Sequence, residues 1–171
     1  MTLRELFDSF QSSAFRLETL DQYLVDQEAE EFAAWRESRP LAPATPETSP
    51  WLRRIADTTR LGKRWSRVHL VDLPLSEYLR FEFDGQAASV KAGEDVRVAL
   101  RSAAPPLADL RQDFWVFDDA TAALMRYDSE GRWLGVDVTA DHQVVRRCRE
   151  QRDLALAHSV PLAEFQAKQA A

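Results

Sequence analysis

Cys148 is the sole cysteine among 171 residues, so the chain can form no intramolecular disulfide and no cysteine cluster for zinc. Glycine is also scarce, at five residues. None of the five belongs to a G-x-G-x-x-G or G-x-x-x-x-G-K phosphate loop, or to a G-x-S-x-G nucleophile elbow. The three histidines, His69, His142 and His158, form no H-E-x-x-H pair, and local metal-ligand spacing is missing. No metal and no cofactor is expected on these grounds. No apolar run approaches the roughly 20 residues that span a bilayer. The segment Met1 to Asp8 has neither a basic n-region nor an apolar h-region. The simplest expectation is a cytoplasmic protein without membrane association. Positive charge is in deficit, with 22 Lys and Arg against 28 Asp and Glu, a net charge of −6. That balance argues against coating nucleic acid, because such affinity comes from neutralising phosphates. Two basic clusters, Arg146/Arg147/Arg149/Arg152 on one helix and Lys63/Arg64/Arg67 in one loop, read as solvated faces. Direct DNA contact through Arg146, Arg147 and Arg149 is the minor alternative.

What is present is an ordinary globular composition, 45% apolar and 29% charged. The length fits a single domain over 1–171. Leu3, Leu6, Phe7 and Phe10 repeat at helical spacing after Thr2, a plausible N-cap. Ala14 to Leu20 alternates as a strand. Asp26 is placed to cap a helix over 27–37 that buries Phe32 and Trp35. Residues 38–49 hold Pro40, Pro43 and Pro46 and read as a mobile loop. Two units of one design follow. Ser49 caps a helix that Gly62 stops, before a strand at 67–71. A second helix, from 74–78 towards Val90, is stopped by Gly93 before a strand at 96–100. The stretch 75–83 alternates well enough to be a strand. A helix is preferred because Ser76-Glu77 resembles a helix start and the preceding strand needs a crossover; Asp84-Gly85 then marks a kink or break. Phe114–Phe117, Ala122–Tyr127 and Trp133–Val138 read as an antiparallel meander covered on one side by helices. Thr139 or Asp141 caps a final long helix, which Pro161 ends or kinks before a short tail helix. The fold class is α/β, with α+β as its alternative. It comprises a mixed sheet of parallel strands from the two helix–Gly–strand units plus the C-terminal antiparallel meander, with helices packed on it.

The polar residues left over are Arg16 and Glu18 on one strand face, Tyr78, Arg80 and Glu82 on the second unit's helix, and Asp118 and Asp119 at a strand end. Converging, they would form a pocket for an anionic or zwitterionic small molecule; apart, they are structural ion pairs and turn residues. His69 reads as a core or sheet-edge histidine, and Cys148 as a buried small hydrophobe.

The segments Phe15-Arg16-Leu17-Glu18, Leu75 to Glu82, Ala92 to Arg97 and Asp113 to Asp119 resemble an actinobacterial domain-of-unknown-function family across nearly the whole chain. That family is often encoded beside helix-turn-helix regulators, which implies a regulatory role by association. More distantly, the element order is similar to the phospholipase D-like superfamily. Its H-x-K signature is absent: Val71, Val144 and Val160 stand two positions after His69, His142 and His158. The resemblance therefore implies a degenerate, catalytically inactive member. The expectation is a non-enzymatic cytoplasmic regulatory or interaction module. It would bind a partner protein, such as a helix-turn-helix regulator, or a small effector. The alternative is a hydrolase or transferase using Asp118 or Asp119.

Overall fold

The computed structural model describes residues 1–170. Seven strands form one mixed sheet in the order β6-β5-β4-β1-β2-β3-β7. They are β1 (Ser13–Glu18), β2 (Arg64–Val71), β3 (Glu94–Leu100), β4 (Phe114–Phe117), β5 (Thr121–Tyr127), β6 (Trp133–Thr139) and β7 (Ser159–Pro161). β1, β2 and β3 are parallel neighbours, and every other pairing is antiparallel. Six helices pack on the sheet: α1 (Leu3–Ser9), α2 (Ala29–Arg36), α3 (Pro50–Arg60), α4 (Glu77–Ala92), α5 (His142–Ala157) and α6 (Leu162–Ala170). The fold class is mixed α/β, and no described helix is long and apolar enough to cross a membrane.

Local chemistry explains most boundaries. Thr2 and Glu5 form a reciprocal capping box on α1. Ser49 and Ser76 accept the backbone N–H of Leu52 and Leu79 at the starts of α3 and α4. Gly93 ends α4 at φ 115°, a conformation that costs a residue with a Cβ and costs glycine little. Asp141, rather than Thr139, caps α5 by accepting from Gln143 and Val144.

Several expectations are corrected. The stretch 75–83 enters α4 as the preferred helix, but Asp84-Gly85 marks no kink or break, and the helix runs unbroken from Glu77 to Ala92. Asp26 caps nothing with its side chain; a 3-10 turn at Asp26–Glu28 leads into α2. Arg67 lies inside β2, which begins at Arg64, and not in a basic loop. Pro161 neither ends nor kinks α5, since β7 intervenes and pairs with β3.

The sheet is covered on both faces, not one. On the first face, Phe15, Leu17, Val68, Leu70, Phe114 and Val116 pack against Val145, Cys148 and Ala155 of α5. On the second, Trp65, Trp115 and Phe117 meet Leu6 of α1, Phe10 just after it, and Leu52 and Ile55 of α3. The end strand β6 is the least covered part, with Trp133 55% and Leu134 59% exposed.

Candidate functional site

Strand alternation sends Arg16 and Glu18 to the second face together, and β1–β2 register sets Arg16 beside Arg67 and Glu18 beside His69. All four are buried, as are Glu94 at the start of β3 and Asp113 just before β4. This charged strip would be costly against an apolar helix. α4 answers it with Tyr78, Glu82 and Gln86, four residues apart and hence on one helix face.

The strip is organised as linked ion pairs. Arg67 donates from Nε to Glu94 Oε1 at 2.7 Å and from Nη1 to Glu18 Oε2 at 3.1 Å. Arg16 Nη2 donates to Asp113 Oδ2 and to the Tyr127 hydroxyl, each at 3.0 Å. Asp113 also accepts from the Thr19 backbone at 2.9 Å, the Thr19 hydroxyl at 2.7 Å and the Tyr23 hydroxyl at 2.6 Å. His69 Nε2 lies 2.7 Å from Glu18 Oε2 and 2.8 Å from Gln86 Nε2. Tyr78 donates its hydroxyl to Glu28 Oε2 at 3.1 Å.

These contacts set the protonation of the cluster. Burial opposes the Glu18 charge, but His69 and Arg67 outweigh it and hold this carboxyl well below the usual range. For Glu82 burial wins over the pull of His69, and its pKa is pushed up to about 7. Burial works against charging His69, yet Glu18 and Glu82 together raise its pKa. One proton-poor and one proton-rich carboxyl thus flank a single imidazole.

A cavity of about 330 Å3 opens beside Glu18, Arg67 and Glu82. Tyr23, Glu28, Tyr78, Tyr127 and Trp133 supply much of its wall. It lies at the carboxyl end of β1, where parallel strands commonly present ligand sites. The segment after β1 and the β5–β6 turn enclose it, tied by the Leu24 N–H to Gly131 O bond of 3.0 Å. His69, 1% exposed, does not line the cavity; Glu18 and Glu82 do.

The structure brings Arg16, Glu18, Tyr78 and Glu82 together and leaves the other candidates elsewhere. Arg80 is solvent-exposed on α4. Asp118 and Asp119 sit at the opposite end of β4 from Asp113, both at positive φ in a tight turn. Asp118 accepts the backbone N–H groups of Gln11, Ser12 and Ser13 at 2.7, 2.7 and 3.0 Å. Asp119 pairs with Arg152. Both are thereby occupied with holding the amino end of β1 and the start of the hairpin. Residues missed from sequence are Tyr23, Glu28, Arg67, Gln86, Glu94 and Asp113, while His69 reads from sequence as a core or sheet-edge histidine, or as a partner of Asp118 or Asp119 in an enzyme. The available signal was the pairing of Arg-x-Glu at 16 and 18 with Arg-x-His at 67 and 69 on neighbouring strands.

Among known proteins, no curated protein matches the chain. A family model described as a domain of unknown function, DUF6879, matches residues 1–167. Nearly the entire fold, including every residue of the charged strip, falls within that match, and the chain belongs to the DUF6879 family.

Proposed function

We propose that this protein is a non-enzymatic cytoplasmic regulatory module that takes a small cationic or zwitterionic effector into the Glu18/Glu82 cavity and signals to a partner protein. The observation that carries the reading is the wall of that cavity. Three acidic side chains, Glu18, Glu28 and Glu82, stand with one guanidinium, Arg67, among the rings of Tyr23, Tyr78, Tyr127 and Trp133. Carboxylates with aromatic faces favour a positively charged group. Among the described residues, no serine, cysteine, lysine or histidine lines the cavity. The nearby imidazole has its Nε2 engaged by Glu18 and Gln86. That favours binding over nucleophilic or histidine-based chemistry. The resemblance to phospholipase D-like scaffolds lacking H-x-K supports the same reading, and the family's association with helix-turn-helix regulators supplies the kind of partner.

The test is a thermal-shift screen of cationic and zwitterionic small molecules on the wild type, Tyr78→Phe and Glu28→Gln. A true ligand at about 100 times its Kd stabilises by about 2.7 kcal/mol. The shift should shrink in both variants. Co-purification with a co-encoded helix-turn-helix regulator should respond to the same ligand. No ligand-dependent shift and no regulator complex would refute the proposal.

A further inference from the structure

Glu18, His69 and Glu82 come from β1, β2 and α4, too far apart in sequence for any spacing motif to reveal them. Each offers a donor atom, and the three atoms lie within 4.8 Å of one another. The charges around them leave a deficit. Arg67 has Glu94 as a carboxylate of its own, and Arg16 has Asp113. Glu18 shares Arg67 with Glu94 and Arg16 with Asp113, while Glu82 has no guanidinium partner among the described residues, so four carboxyl groups face two guanidiniums and one imidazole.

The hydrogen bonding around that imidazole is incomplete. A single ring nitrogen cannot both donate to Glu18 and accept from the Gln86 amide, yet His69 Nε2 has both within 2.8 Å. Turning the Gln86 amide round would set two oxygens competing for one proton. Gln86 is only 6% exposed, and its Oε1 has no partner among the described residues. Glu82 Oε2 is buried with no partner either. Orphaned buried oxygens converging on an imidazole are costly unless something electropositive joins them.

We propose that Glu18, His69 and Glu82 form a divalent transition-metal site of the zinc class at the inner end of the cavity, with an open coordination position facing the cavity. The proposal rests on reading the cavity as a cation site and names the cation. Ligand atoms held about 2.0–2.2 Å from one ion sit roughly 3–3.5 Å apart, so modest rotations of the two carboxylates close the set. The cation takes the Nε2 lone pair, and the Gln86 amide keeps its donation to Glu82 Oε1, 3.4 Å away. Arg67, already bonded to Glu18, becomes the outer partner that orients a ligating oxygen. An imidazole with two carboxylates suits zinc and its neighbours better than calcium or magnesium, which favour all-oxygen sites.

The experiment uses the full chain after chelator treatment, titrated with Zn2+ by calorimetry and with Co2+ by visible absorption. One equivalent should bind, with a Co2+ d–d band of nitrogen and oxygen ligation. His69→Gln and Glu82→Gln should each weaken Zn2+ binding by roughly 10–100-fold or more. A His142→Ala/His158→Ala double variant, which removes the two exposed histidines, should bind as the wild type does. Far-UV circular dichroism checks folding, and Glu82→Gln, which keeps the side-chain shape, decides the matter if His69→Gln does not fold. No saturable binding by the wild type, undiminished binding by Glu82→Gln, or loss in the double variant would overturn the site. Stabilisation by organic ammonium compounds without metal binding would overturn the metal and leave the effector reading standing. Absence of both would overturn the two together.

Discussion

Asp113→Ala should be among the most damaging single substitutions in this chain. Asp113 is 2% exposed and accepts from Arg16, Tyr23 and two groups of Thr19. Truncation leaves the buried Arg16 guanidinium, held firmly protonated by Glu18 and Asp113 against the cost of burial, with Glu18 at 3.5 Å as its one carboxylate partner among the described residues. Removing one member of a buried ion pair costs about 3–5 kcal/mol. The Tyr23 and Thr19 hydroxyls lose their acceptor as well, although the total stays sub-additive because they share one network. A domain of this size has about 5–15 kcal/mol in total, so the loss is a large fraction of it. Asp113→Asn keeps the shape and one acceptor oxygen and should lose less, about 1.5–3 kcal/mol, the worth of hydrogen bonds to a charged group. The decisive comparison is Arg16→Met/Asp113→Leu, which removes both charges. Replacing a whole buried pair by apolar groups is often neutral or stabilising, so the double variant should be more stable than Asp113→Ala alone. Urea unfolding followed by circular dichroism measures all four proteins. If Asp113→Ala costs below about 1 kcal/mol, or the double variant is the least stable, the ion pair does not hold this end of the sheet.

Other expectations follow from single contacts. Gly131→Ala should destabilise by about 1–3 kcal/mol, since Gly131 has φ 86° and an added Cβ would meet Gln22 O at 2.3 Å; a thermal melt within a degree of wild type would contradict it. Asp118→Ala frees three backbone N–H groups and should cost about 1 kcal/mol in urea unfolding, modest because the site is partly exposed. The Asp118 carboxyl is lowered: burial opposes its charge, but hydrogen bonds from the Ser13, Gln11 and Ser12 backbones outweigh it. Its contribution is therefore present above the unfolded pKa and lost as pH falls through the folded one, so the Asp118→Ala deficit should narrow in acid. Burial pushes the Cys148 thiol up to about 11, so iodoacetamide at neutral pH should label it slowly in the native protein and rapidly in urea.

The helix–glycine–strand repeat is legible because each device is local. Ser49, Gly62, Ser76 and Gly93 act within one turn of where they stand, and Gly62 and Gly93 do take positive φ. The meander is legible for the same reason, through its alternation and turns. β7 escapes notice because three residues containing a proline carry no periodicity; β3 and α6 create it. The continuity of α4 through Gly85 is also set from outside, by a helix face that must span the strip from Tyr78 to Ser89. For the candidate site, residue type alone singles out Arg16, Glu18, Tyr78 and Glu82. Their meeting with His69 and Arg67 depends on β1–β2 register across some 50 intervening positions, which no window of sequence displays. Asp118 shows the reverse case, a conspicuous carboxylate whose work is to hold three amides.

β1 precedes both of its sheet neighbours in the chain, β2 and β4, the second ending at Phe117. The 99 residues from Glu18 to Phe117 take a ribosome about 5–20 s to add. For that interval the central strand has no completed place in a sheet. Arg16 and Glu18, hidden in the finished molecule, are charges of the kind that keep an unpaired β-prone segment hydrated until its neighbours exist.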